Sequence, residues 1–206
     1  MFDLFFQQYS DYQTLDISLE IIAVVFGILS VWFSKKNNIL VYPTGMISTS
    51  IFTYLLFKWS LLGDMMINAY YFMMSIYGWY IWTRKVNNIV TPISKVSSPE
   101  KITSLIIFFF SLSFVYGIYN YFDKWGSYTS YIDNFTTAIF FVAMWLMANR
   151  KIENWIFWII GNIISIPLYF YKGLTFTSIQ YIIFTVIAIS GYYTWKKILD
   201  NSNQTA

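Results

Sequence analysis

NWIFWIIGNIISIPLYFYKGLTFTSIQYIIFTVIAISGYYTW, residues 154–195, is a pair of apolar segments parted only by the short polar break Tyr171, Lys172 and Gly173. Crossing a ~30 Å hydrocarbon core takes about 20 helical residues, so each segment is long enough to span it. Trp158 and Asn162 lie four apart and stack on one helical face. Gln180 falls about two turns into the following segment, at 1.5 Å of rise per residue. An indole beside an amide, with a second amide on the neighbouring helix, makes a candidate pocket for a small planar polar molecule.

Composition extends this reading to the whole chain. Hydrophobic residues are 57% of the 206 and charged residues 11%. Soluble domains carry about 25% charged residues, so this chain lacks the polar surface to cover itself in water. It reads as one integral membrane domain, residues 1–201, embedded in the lipid bilayer. Tyr and Trp near segment ends fit interfacial belts. There is no Cys and no His, which removes thiolate chemistry and the commonest general base and metal ligand. No enzyme, metal site or cofactor is therefore expected. The net charge of +3 needs no nucleic-acid partner, because it follows from topology.

Residues 1–14 form an amphipathic leader without a basic n-region, unlike a cleaved signal peptide. Hydrophobic segments follow at 16–34, 39–57, 61–83, 102–122, 130–149, 153–171 and 174–196. Seven helices are expected, the fifth with polar Asp133 and Asn134 near its start. Ten of the 13 basic residues fall on one side, with only Lys58, Lys124 and Lys172 on the other. The positive-inside rule then puts the amino terminus outside and the carboxyl terminus in the cytoplasm. Residues 87–101, carrying Pro92, Pro99 and several Ser, read as a cytoplasmic linker.

That linker divides the chain into three helices, one, and three. Shifting the sequence by 116 residues pairs Lys35 with Lys151, Gly45 with Gly161, Trp79 with Trp195, Tyr42 with Trp158 and Asp64 with Gln180. It also pairs Glu20 with Thr136, leaving that acid unduplicated. The expected architecture is all-α: parallel three-helix repeats, 16–83 and 130–197, joined by a linker loop and helix, 84–122. Such repeats place substrate sites at their interface.

The stretches NNILVYPTG (37–45), GDMMINAYYFMMSIYGWYIW (63–82), NWIFWIIGN (154–162), PLYFYKG (167–173), TSIQY (177–181) and GYYTW (191–195) resemble the PnuC family of bacterial vitamin transporters. The resemblance runs from about 15 to 197. It implies a full-length SWEET-like fold and a cargo of nicotinamide riboside, with thiamine or riboflavin carried by related branches. It also implies facilitated diffusion sustained by intracellular phosphorylation of the substrate, an inner-membrane location and a permitted trimer. The motif that carries the substrate site is Trp158-x-x-x-Asn162 with Gln180.

Each site candidate has two readings. Trp158 is a ligand wall or an interfacial packing residue, and Asn162 a ligand contact or an interhelical hydrogen bond. In the first triplet Asp64, Asn68 and Tyr71 share a face. Asp64 is either functional, as acids in membrane segments are by default, or a cap on its helix. A carboxylate with aromatics would suit a cationic ring, and amide or carboxylate acceptors would suit vicinal hydroxyls. Tyr42 completes the candidate site as an aromatic wall. Pro43 and Pro167 are expected to kink helices 2 and 6. Tyr116, Tyr119 and Asn120 share a face of helix 4, either closing a pathway or packing. No Walker loop is present, so ATP is not a direct power source.

Overall fold

The structure is a computed structural model describing residues 14–58, 62–86, 89–123, 125–126, 128–171 and 175–204. The leader, Lys124, Lys172 and Gly173 lie outside them. Among the described residues there are seven α-helices: α1 (Thr14–Lys35), α2 (Val41–Lys58), α3 (Leu62–Thr83), α4 (Ser98–Tyr121), α5 (Tyr128–Ala148), α6 (Asn154–Tyr171) and α7 (Thr175–Gln204). α4 starts earlier than its apolar run, because Pro99 suits a first turn and Glu100 accepts from both the Ser97 N–H and hydroxyl. α7 continues past the apolar run to Gln204. Pro43 lies in the first turn of α2, where its missing N–H has no helical partner to lose. It therefore does not kink that helix; Pro167 does lie inside α6.

Helices α1, α4, α5 and α6 are long and apolar enough to cross a bilayer. α2, α3 and α7, at 18, 22 and 30 residues, have the length but are more polar. Several of their hydroxyls turn back on their own helix, as Thr49 does to Gly45 O at 2.9 Å and Ser75 to Tyr71 O at 2.9 Å. That satisfies the group without a partner helix.

The second half retraces the first at a spacing of 113 residues. α2 and α6 match end for end, and α3 and α7 start in register. Asn37 and Arg150, just past α1 and α5, both adopt left-handed φ, 52° and 54°. The Trp82 indole N–H donates to Met147 O at 3.3 Å, and the Trp195 indole to Ser34 O at 2.9 Å. Ser34 and Met147 are themselves 113 apart and touch, Oγ to Sδ, at 3.2 Å. The 116-residue pairing is thereby corrected. A slip of three residues is close to one helical turn, so it preserves the apolar pattern while moving every pair by a turn. Tyr42 is the counterpart of Trp155, Trp158 of Gly45 and Gln180 of Ile67. Glu20 is the counterpart of Asp133, so the acid is duplicated after all.

Packing follows the same spacing. α2 lies between α1 and α3, and α6 between α5 and α7. The halves meet through α1 against α7 and α3 against α5, two contacts that the 113-residue shift exchanges. α4 lies on α5 and only grazes α3. At the basic end of the bundle Tyr42, Trp82, Trp155 and Trp195 form one buried cluster. Tyr42 meets Trp82 edge-on at 5.2 Å, as Trp155 meets Trp195 at 5.6 Å. Gly78 and Gly191 make room for these rings: a Cβ at Gly191 would come 2.7 Å from the Trp155 ring, and one at Gly78 would strike Tyr42. Gly78→Ala is expected to cost about 1–3 kcal/mol by overpacking, read as a lower melting temperature in detergent. An unchanged melting curve would refute this account of the cluster.

The linker is docked rather than loose. Lys85–Val86 and Ile89–Val90 form a small hairpin, β1 and β2. Ser94 then bridges the α5–α6 turn, donating to Arg150 O at 3.1 Å and accepting from Ile152 N at 3.0 Å. Lys151 holds Glu100 at 2.8 Å. The Arg150 guanidinium lies 4.2 Å from the Trp82 ring centroid and donates to Thr91 O; its burial lowers its pKa from the ordinary value. At the far end Lys58 pairs with the buried Asp16 at 2.7 Å.

Candidate functional site

Between the two halves runs a passage with two chambers. The chamber nearer the basic end, about 250 Å³, is lined by Ser30, Ser34, Tyr42, Gly45, Thr49, Ser75, Trp155, Trp158 and Asn162, among others. The chamber toward the far end, about 810 Å³, is lined by Glu20, Asn68, Asp133, Thr136, Tyr169 and Gln180, among others. Gly27, Ser48, Tyr71, Phe140, Tyr181 and Phe184 border both. These six form the waist of the passage.

The two walls differ in kind. Beside the rings of Tyr42 and Tyr71, the first half contributes small residues, Gly27, Ser30, Gly45 and Ser48, with both serine hydroxyls tied to backbone: Ser30 to Val41 O at 2.7 Å and Ser48 to Ala23 O at 2.8 Å. The second half contributes rings. Phe140 stacks on Trp158 at 5.4 Å and on Tyr181 at 6.1 Å, and Tyr181 meets Tyr169 at a tilt of 30° and 5.1 Å. Stacked rings facing small residues leave a flat slot, the shape an aromatic ligand needs.

The expected site residues all reach this passage where they are described, but not one chamber. Tyr42, Tyr71, Trp158 and Asn162 line the inner chamber, with Asn162 only 3% exposed. Asn68, Tyr71 and Gln180 line the other. Asn162 and Gln180 thus stand on either side of the waist. Asp64 lies in the first turn of α3, and its side chain lies outside the described residues. Tyr42 is fully buried and its hydroxyl has no hydrogen-bond partner among the described residues. Tyr116 and Tyr119 pack on Trp125 at 5.0 and 5.4 Å, which favours the packing reading, although Tyr119 also borders the larger chamber. Asn134 donates to Leu112 O at 3.3 Å and joins α5 to α4.

Sequence reasoning missed Phe140, Tyr181 and the small-residue wall. Gly27, Ser30 and Ser34 recur every three or four residues, and Ser48 and Thr49 follow Gly45 by three and four. That periodicity was the available signal, since small residues on one helical face mark close approach or open space. Among the described lining residues of both chambers there is no Lys or Arg, while Glu20 and Asp133 face the larger one. Acidic side chains on the lining favour a neutral or cationic solute over an anion.

Residues 17–197 match the nicotinamide mononucleotide transporter family. The chain belongs to this family. It is a family of membrane transporters, so the role is transport rather than catalysis. The nicotinamide riboside transporter PnuC of Escherichia coli strain K12 is 24% identical over 201 residues, covering 86% of this chain and 84% of that one. The nicotinamide riboside transporter PnuC of Neisseria mucosa is 29% identical over 195 residues, covering 89% and 74%. A crystal structure of the vitamin B3 transporter PnuC superimposes with a TM-score of 0.68 at 25% identity, covering 97% of this chain and 89% of that one. The resemblance seen in the sequence is thus a PnuC family membership.

Proposed function

We propose that this family member carries nicotinamide riboside across the membrane through the passage between its two halves. The observation that carries the choice of substrate is the charge of the lining. A mononucleotide bears a phosphate, which needs cationic or N–H donors, and the described lining offers Glu20 and Asp133 instead. The riboside has a cationic ring and no phosphate. Its ring suits the slot beside Trp158 and Tyr181, and its hydroxyls and carboxamide suit Asn162 and Gln180. At about 250 Å³ the inner chamber is smaller than ligand pockets of about 300–1,000 Å³. A substrate straddling the waist would reach both amides. The relatives named as nicotinamide riboside transporters support the same choice.

The mechanism follows from the packing. The chain is one transmembrane domain, residues 1–201, in a 3-1-3, SWEET-like arrangement: parallel repeats 16–83 and 130–197 joined through 84–122. The exchangeable α1–α7 and α3–α5 contacts support it. Rocking of one repeat on the other opens the passage at each end in turn. The basic end, with Lys35, Lys36, Arg150 and Lys151, is cytoplasmic by charge, and the membrane is the bacterial inner one. The crossed Trp82 and Trp195 hydrogen bonds tie the two halves together at that end. Net uptake is sustained by phosphorylation of the substrate inside the cell.

Binding of the riboside and of thiamine, separately, to purified protein by tryptophan fluorescence tests the substrate. Thiamine also carries a cationic ring, so response to thiamine alone would transfer the reading to that vitamin. The charge argument has its own test. Glu20→Gln with Asp133→Asn is expected to weaken riboside uptake into proteoliposomes by about tenfold at low salt. Undiminished uptake at every ionic strength would remove the acids from the account.

A further inference from the structure

The two halves differ at one crossing of helices beside the waist. In the first half Gly27 of α1 faces Ser48 of α2, and a Cβ at Gly27 would meet Ser48 Oγ at 3.1 Å and nothing else nearer than Ser48 Cβ at 4.0 Å. In the second half the counterparts, 113 residues on, are Phe140 of α5 and Gly161 of α6. There the ring of Phe140 lies directly on Gly161, with no room for a Cβ between them. Phe140 is 8% exposed and fills its side of the crossing, stacked between Trp158 and Tyr181. The same crossing is thus built twice, once with a benzyl group against glycine and once with glycine against a hydroxymethyl group. Gly27 borders both chambers, as Phe140 does. The space that Phe140 occupies in one half is open in the other.

We propose that Gly27 is the residue that sets the size of the waist, and hence which solutes pass. A symmetric chain with Phe at both positions would close the slot with two opposed rings. A chain with Gly at both would lose the stacking surface beside Trp158. The asymmetric pair gives a floor for a planar ring on one side and open volume for the rest of the molecule on the other. This rests on the reading of the passage as the vitamin's route. Close packing makes the expected effect steep, because one added methyl in a fitted pocket shifts discrimination about 10–200-fold. The same consideration separates volume from folding, since the second half demonstrates a crossing that holds Phe against Gly.

The test is a binding titration on purified protein, with thermal melting of each variant as the fold control. Wild-type protein is titrated first with the riboside and with thiamine. The ligand it binds is then used throughout, so a wrong vitamin and a wrong waist residue give different results. Ser48→Gly alone sets the baseline, because it removes the hydroxyl that Ala23 O accepts from. Gly27→Phe with Ser48→Gly transplants the second half's pair. It is expected to melt like Ser48→Gly and to lose binding by at least about 100-fold. Gly27→Ala, which asks Ser48 Oγ to yield by a few tenths of an ångström, is expected to bind about tenfold more weakly with an unchanged melt. It decides the matter if the double variant does not fold. Binding within about threefold of baseline in a folded Gly27→Phe/Ser48→Gly protein, or wild-type binding by Gly27→Ala, overturns the proposal.

Discussion

Asn162→Ala is expected to weaken binding of nicotinamide riboside by about 10–100-fold, with uptake falling in proportion, while the protein stays monodisperse. The amide is 3% exposed on the middle helix of the second half and lines the inner chamber beside Trp158. A ligand group that leaves water to meet it loses its partner in the variant, and an unpaired polar group in such a site costs about 1–3 kcal/mol. Each 1.4 kcal/mol is a factor of about ten. Gln180→Ala should cost less, because Gln180 is only half-buried and borders the wider chamber, where water can replace it. Titration of both variants by tryptophan fluorescence measures this ranking. Wild-type affinity in Asn162→Ala would leave Asn162 as a helix-packing amide and remove it from the site.

Trp195→Ala is expected to produce the largest loss of stability, about 3–5 kcal/mol, the range for emptying a buried indole. Trp195 has no exposed surface, packs on Trp155 and Trp82, and donates across the interface between the halves to Ser34 O at 2.9 Å. The variant therefore leaves a cavity and an unpaired carbonyl in one step. Trp195→Phe keeps most of the volume but not the donor, so it should lose about 1–3 kcal/mol. The difference between the two separates packing from hydrogen bonding. Trp82→Ala should behave alike, since Trp82 makes the mirrored bond to Met147 O at 3.3 Å. Melting temperatures in detergent read all three. Were Trp195→Ala as stable as wild type, the crossed tryptophans would not hold the two halves together.

Much of this protein was legible from local chemistry. Long apolar runs and their charged flanks set the helices and the membrane, because helix length and transfer cost depend on each segment alone; the class of function was legible only through the family resemblance. The apolar run misplaces the start of α4 at 102: Pro99 and the Ser97–Glu100 capping box, equally local signals, begin it at Ser98. The Trp158–Asn162 spacing was enough to place both residues in one chamber, since four residues on a helix share a face.

What the chain in order could not decide is which turn of one half faces which turn of the other. A three-residue slip leaves each helix equally apolar, so 116 and 113 look alike until Trp82 and Trp195 are seen bonded across the interface. Only that packing makes Glu20 and Asp133 counterparts and separates Gln180 from Asn162 by the waist. It alone also sets Gly27 opposite the space that Phe140 fills in the other half. Periodicity determines faces; contact between helices determines which faces meet, and that depends on side-chain shapes from segments more than 100 residues apart.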